Sequence, residues 1–171
     1  MVKNEVYVGK YGRGQFVNES EKMFEEAKLN KSPLSVLQID MDYFHSINQT
    51  YGYEVGDIVL ERSQDAMLSV LYETKVKYLF EKKGGDEFGV TLESNGLEAS
   101  SIASKMLNRV VEVDYSDVAN DLKVNATAGI AVLNKKTKSY GELVQLATIT
   151  LYENKRRNRW YSFASFFWSI V

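Results

Sequence analysis

Apolar positions along the chain repeat with two periods, and each change of period marks an element. Phe16, Met23, Phe24 and Ala27 fall at helical spacing and predict a helix over 16–29, which Asn30-Lys31-Ser32-Pro33 then breaks. LSVLQID, residues 34–40, is β-branched and short enough for a buried strand that ends in an acid. Helical spacing returns over 56–72, through Ile58, Val59, Leu60, Ala66, Met67, Val70 and Leu71. KVKYLFEKK (75–83) then reads as a strand, GGDE as a turn and FGVTLE (88–93) as the strand back. That is a β-hairpin whose glycines supply the backbone angles of the turn. A helix is expected over 97–111, one or two strands around Gly129 within 122–133, a helix over 142–155 and a last strand over 160–163. Helices mixed with hairpins predict an α/β (α+β) sandwich, with a mostly antiparallel central sheet flanked by helices.

With 171 residues, 44% of them apolar, the chain is long enough for one domain with a core of its own. Its 21 basic and 23 acidic side chains nearly balance at a net charge of −2, which argues against bulk binding to nucleic acid or an anionic membrane. No cysteine is present, so disulfides and thiolate metal sites are excluded. The N-terminal MVKNEVYVGKYGRG has no apolar core of signal-peptide length. The C-terminal WYSFASFFWSIV is apolar but falls short of the roughly 20 residues a spanning helix needs. It reads as a last strand plus a sticky tail. No membrane span and a cytoplasmic location are the expectation.

The candidate chemistry lies in the acids. Asp40 ends the first strong strand, Asp42 follows two residues on, and Asp86 with Glu87 occupies the hairpin tip. If the strands are neighbours, Asp40 and Asp86 converge, and two carboxylates at one edge repel unless a cation stands between them. A hard cation such as Mg²⁺ would relieve this, bound through one or two carboxylates and substrate phosphates. Such a site suits phosphoryl transfer. The plainer alternative is a charged hairpin turn facing water.

The residues around the acids narrow the choice. LQIDMDYFHSINQTYGYEVGDIVL (37–60) followed by KKGGDEFGV (82–90) resembles the GGDEF family of diguanylate cyclases. Asp40, Asp42, Phe44, Ile47, Asn48, Tyr51, Gly52, Gly56, Asp57 and Gly84 to Phe88 match its pattern in order. VNATAGIAV (124–132), LATITLYENKRRNR (146–159) and the opening EVYVGKYGRGQF (5–16) extend the likeness to nearly the whole chain. The resemblance implies a single GGDEF domain over 1–171: an N-terminal turn and helix (1–33), a palm-like core of the nucleotidyl-cyclase and polymerase type (34–160) and an apolar strand or tail (161–171).

It also implies an activity. Two such domains would face each other as a homodimer, each holding one GTP, and would condense the two into cyclic di-GMP with release of pyrophosphate. Asp40, Asp86 and the Met41 carbonyl would ligate Mg²⁺ or Mn²⁺. Glu87 would assist the metal or help deprotonate the attacking 3′-hydroxyl. Asn48 and Asp57 would read guanine, whose N1–H and amine are donors that adenine lacks at that edge. The triphosphate would meet the backbone at Tyr43, Phe44 and His45, with Lys155 and Arg159 beside it. Tyr53 stands where the family has the histidine of Tyr-Gly-His, and is expected near the substrate.

The departures matter equally. His45 replaces a lysine expected to stabilise phosphate charge, and a neutral imidazole supplies less. Thr148 replaces an aspartate, Lys82 and Lys83 replace an Arg-Tyr pair, and Lys75 and Tyr78 stand where the family's Arg-x-x-Asp product-inhibition site would lie. A second reading therefore stays open: a degenerate module that binds GTP or a partner protein as a regulator, without efficient turnover. Asn48 and Asp57 also have plainer readings, as caps of the helices they neighbour.

Overall fold

The computed structural model describes residues 4–168, with side chains described except at 7–11 and 158–168. The elements run β1 (Glu5–Val8), α1 (Gly9–Asn30), β2 (Ser35–Met41), α2 (Phe44–Tyr51), α3 (Tyr53–Tyr72), β3 (Tyr78–Gly84), β4 (Glu87–Leu92), α4 (Gly96–Val111), β5 (Ala126–Val132) and α5 (Tyr140–Trp168). Among these, five strands form one sheet in the order β1-β3-β4-β2-β5. Every pairing is antiparallel except β1 with β3. The mostly antiparallel sheet flanked by helices is therefore as expected.

β2 lies between β4 and β5 and is covered on both faces, so every residue of SVLQIDM but Asp40 is buried. Alternate residues supply two cores. Leu37, Ile39 and Met41 join Phe80, Phe88 and Val90 under α3 and α4, where Val59, Met67, Ile102 and Met106 meet them. Val36 and Leu79 face the other way, against Phe16, Phe24, Leu143 and Ala147 of α1 and α5. Termini are set locally. Lys31 adopts φ 55° and the Ser32 N–H bonds the Ala27 carbonyl at 3.0 Å, a left-handed closure of α1 before Pro33. The Asn95 side chain accepts from the Glu98 N–H at 3.0 Å and caps α4.

Two expectations fail at the ends of the chain. EVYV, read as part of a turn, is β1, which pairs in parallel with β3 from Glu5↔Leu79 to Val8↔Lys82. The last strand over 160–163 is absent. α5 continues unbroken to Trp168, because neither Gly nor Pro interrupts it after Lys155. The expected strand or tail over 161–171 is therefore helix as far as Trp168, and its last three residues lie outside the described residues. No described helix is long and apolar enough to cross a membrane.

Candidate active site

Three neighbouring strands bring the acids together. β2 carries Asp40 opposite Glu87 of β4 on one side and Thr127 of β5 on the other. The β3–β4 hairpin turns at Gly84 and Gly85, with φ 147° and 58°, so that Asp86 arrives beside Asp40. The Met41 N–H donates to the Asp86 carbonyl at 3.2 Å and fixes the turn against β2. The expected convergence is present.

A cation already stands on these oxygens. The Lys155 ammonium donates to Asp40 Oδ1 and to the Met41 carbonyl at 3.2 Å, and lies 3.4 Å from Asp42 Oδ1. α5 is seated for this by Gly129: a Cβ there would overlap the Ala147 carbonyl and the Leu151 backbone, so the helix packs directly onto β5. Asn154 Nδ2 donates to the Ala128 carbonyl at 2.9 Å and locks the same turn of the helix. Burial pushes the Asp40 carboxyl up; Lys155 opposes the shift, and Asp86 and Asp42 add to it.

Asp42 has a different job. Thr127 Oγ1 donates to both its oxygens, at 2.8 and 3.0 Å, and its N–H donates to the Asn125 carbonyl at 2.8 Å. Thr127 is thus a site residue that the sequence pattern did not single out. Its signal is a hydroxyl at an inward position of an otherwise apolar strand.

The donor set fits a divalent cation. Two carboxylates and a carbonyl are hard oxygen ligands, and Lys155 shows that the pocket accepts positive charge. Among the described residues no group of three or more His, Cys, Asp or Glu side chains is placed to hold a metal. Glu87, at the start of β4, is exposed.

The second group of expected residues lies on α2 and α3. Tyr43, at φ 56°, turns the chain from β2 into α2, whose first N–H groups have no intrahelical acceptor. Asn48 sits inside α2, and Asp57 inside α3 beyond its first turn, so neither caps a helix. A Cβ on Gly56 would overlap Asn48 Oδ1 and stand 3.4 Å from the Phe44 ring. Gly56 therefore leaves space for the Asn48 carboxamide, whose buried Oδ1 has no hydrogen-bond partner. Phe44 packs against the core, while His45, Asp57 and Tyr53 (77% exposed) face solvent. The Arg159 side chain lies outside the described residues. Lys75 is exposed, whereas Tyr78 is fully buried and its hydroxyl is pushed up to about 12 by burial.

Known proteins share the fold that carries these residues. The family described as "Diguanylate cyclase, GGDEF domain" matches residues 9–160. Diguanylate cyclase A of Treponema denticola is 35% identical over 133 residues, covering 75% of this chain and 34% of that protein. Diguanylate cyclase DosC of Escherichia coli is 34% identical over 130 residues, covering 75% of this chain and 27% of that protein. The chain therefore spans about a third or less of the length of these relatives. Among solved structures, a GGDEF domain from Pseudomonas aeruginosa superposes with TM-score 0.76 at 29% identity, covering 85% of this chain and 89% of that one. The active GGEEF domain of a Vibrio cholerae diguanylate cyclase shares the fold, with TM-score 0.77 at 23% identity over 92% of this chain and 93% of that one. With the match running over nearly the full length, the chain belongs to the GGDEF domain family of diguanylate cyclases.

Proposed function

We propose that this domain condenses two GTP molecules into cyclic di-GMP. The 3′-oxygen of each nucleotide bonds to the α-phosphorus of the other, the α–β phosphoanhydride bonds break, and two pyrophosphates leave. The observation that carries this reading is the Lys155 ammonium seated on Asp40 and the Met41 carbonyl, with Asp86 close enough to Asp40 to act on its charge. Asp40, Asp86 and Met41 would hold Mg²⁺ or Mn²⁺, which supplies charge to the phosphoryl oxygens and acidity to the attacking hydroxyl. Lys155 leaves Asp40 for the triphosphate when nucleotide enters, joined there by the N–H groups at the start of α2 and by Arg159. Glu87, exposed beside Asp40 in the register, takes the hydroxyl proton. Asn48 and Asp57 accept from the guanine edge, and the unpartnered Asn48 Oδ1 supports that role. Tyr53 and Phe44 border the nucleotide, and His45 faces its phosphates.

Because each domain holds one GTP, the reaction needs two copies facing one another, and its rate rises with the square of protein concentration while the dimer is dilute. GTP supply places the reaction in the cytoplasm. Incubation of the protein with GTP and Mg²⁺ or Mn²⁺, with chromatography of the products, tests the reading: cyclic di-GMP is expected. GTP binding without product would instead favour a regulatory module. What speaks for that second reading is the site's reduced charge: His45 replaces a lysine, and Thr148 spends its hydroxyl on the Val144 carbonyl of its own helix at 2.9 Å.

A further inference from the structure

The face of the sheet under α1 and α5 carries a second lysine–carboxylate pair, one that the phosphoryl-transfer chemistry does not use. Glu81 of β3 is only 2% exposed, and its Oε2 has no hydrogen-bond partner. Lys83, two residues on, lies 3.9 Å from Glu81 Oε1 with its side chain 14% exposed. The Lys83 ammonium does not end there. It crosses β4 and donates to Oε1 of Gln38, a buried side chain on β2 two residues before Asp40.

The crossing depends on Gly89, the β4 residue between them. A Cβ on Gly89 would stand 3.1 Å from Lys83 Cε and 2.9 Å from Glu81 Oε1, so a side chain there would press both of these groups aside. Lys83 is also the residue at which the β3–β4 register shifts, between Lys82↔Phe88 and Gly84↔Glu87. An extra residue of this kind bends its strand and re-aims the chain beyond it. Here the chain beyond it is the Gly84–Gly85 turn that presents Asp86 and Glu87. A bend next to two glycines is soft unless something holds it, and a charged hydrogen bond in a buried setting is a strong hold.

We propose that Lys83 is a positioning residue, a strap from the bulge of β3 across Gly89 to Gln38 that fixes the direction of the turn bearing Asp86 and Glu87. The effect on catalysis rests on the reading of that turn as the phosphoryl-transfer site; the strap itself does not. It ties the strand that delivers Asp86 to the strand that delivers Asp40, beneath the point where the two acids meet. It touches neither nucleotide nor metal.

The test pairs kinetics with amide hydrogen exchange in the full chain. Lys83→Met should lower kcat by about tenfold and change KM for GTP by less than about twofold, because alignment at the reacting end is lost and the nucleotide contacts are not. Gln38→Leu should do the same, and the double variant should be no worse than the worse single one, since both cut one link. In both single variants exchange over residues 84–88 should quicken by about tenfold while α3 and α4 keep wild-type rates, the mark of local release rather than general destabilisation. Lys82→Met, one residue away, should change neither readout. Unchanged exchange at the turn, quickening spread evenly over the domain, additive losses in the double variant, or an equal effect of Lys82→Met would each overturn the proposal. If the wild-type protein makes no cyclic di-GMP, the cyclase reading fails while the exchange data still decide the strap.

Discussion

Two lysines reach two sets of oxygens on the same face of the sheet, and the contrast between them separates substrate chemistry from framework. Lys155 comes from a helix to the open rim, where Asp40, Asp42 and the Met41 carbonyl share its one ammonium. Lys83 comes from within the sheet and lies half-buried with Glu81 and Gln38. The rim lysine divides its ammonium among three acceptors, two of them carboxylates. Lys83 spends its ammonium within the sheet, on Gln38 and beside Glu81. On the proposed reading, Lys155 yields its place to nucleotide while Lys83 holds a strand still.

The largest expected effect breaks the rim pair at its acid. Asp40→Asn should lower turnover by at least about a thousandfold, because the position loses the charge that holds the divalent cation at the phosphates. Its Tm without metal should fall little, since Lys155 retains Asp42 at 3.4 Å and the Met41 carbonyl. Added Mg²⁺ with a non-hydrolysable GTP analogue should raise the Tm of the wild type but not of this variant. Near wild-type product formation in Asp40→Asn would remove the rim from the chemistry altogether.

The base-reading end ranks second. Asp57→Ala should weaken GTP binding by about 1–3 kcal/mol, the range for leaving buried donors unpaired, with ATP binding unchanged. Calorimetry giving equal affinities of the wild type for the two nucleotides would defeat this. Lys155→Met sharpens the comparison itself. It should weaken GTP binding by about tenfold, the loss of one charge-assisted hydrogen bond to phosphate. Lys83→Met should leave that affinity alone. If the two lysine variants raised Kd equally, the division between rim and framework would be false.

His45 is the next step down. A lysine would bring a fixed positive charge to this position, so His45→Lys should speed saturated turnover by about tenfold at pH 8, or about 1.4 kcal/mol off the barrier. Equal rates at pH 8 would place His45 away from the phosphates.

How much of this was legible in the sequence varies with the range of the interactions. The hairpin was legible because period-two alternation and paired glycines are local signals, and the 37–60 block because its chemistry-bearing residues sit close together in the chain. β1 was not: four residues before a glycine-rich stretch resemble a turn until β3 supplies their partners. The end of α5 was hidden because aromatic residues favour strands when judged alone, although no stop signal comes after Lys155. Thr127, Gly129 and the Lys83–Gln38 link were out of reach for a firmer reason. Each depends on register or packing between segments distant in sequence: Thr127 lies 85 residues from Asp42, and Lys83 lies 45 from Gln38.

The smallest effect is the most informative about the Glu81–Lys83 pair. Burial pushes the Glu81 carboxyl up and the Lys83 ammonium down; their mutual attraction, with Arg13 acting on Glu81 and Glu87 on Lys83, offsets this only in part. For Glu81, a raised value means stability that is fully present below the ordinary carboxylate pKa and is lost as pH climbs through the raised one. For Lys83, a lowered value means stability present above the ordinary lysine pKa and lost as pH falls through the lowered one. Around neutral pH both charges therefore weigh against the fold. Glu81→Met/Lys83→Met should accordingly be more stable than the wild type at pH 7, by about 1 kcal/mol, as replacement of buried ion pairs by apolar side chains often is. The gain should shrink toward pH 3 and again toward pH 11, where the wild type sheds one charge or the other. Denaturant titration across that range measures it, and the same variant should turn over GTP more slowly because the strap is gone. A double variant less stable at pH 7 and no slower would make the pair ordinary packing rather than a frame for the turn.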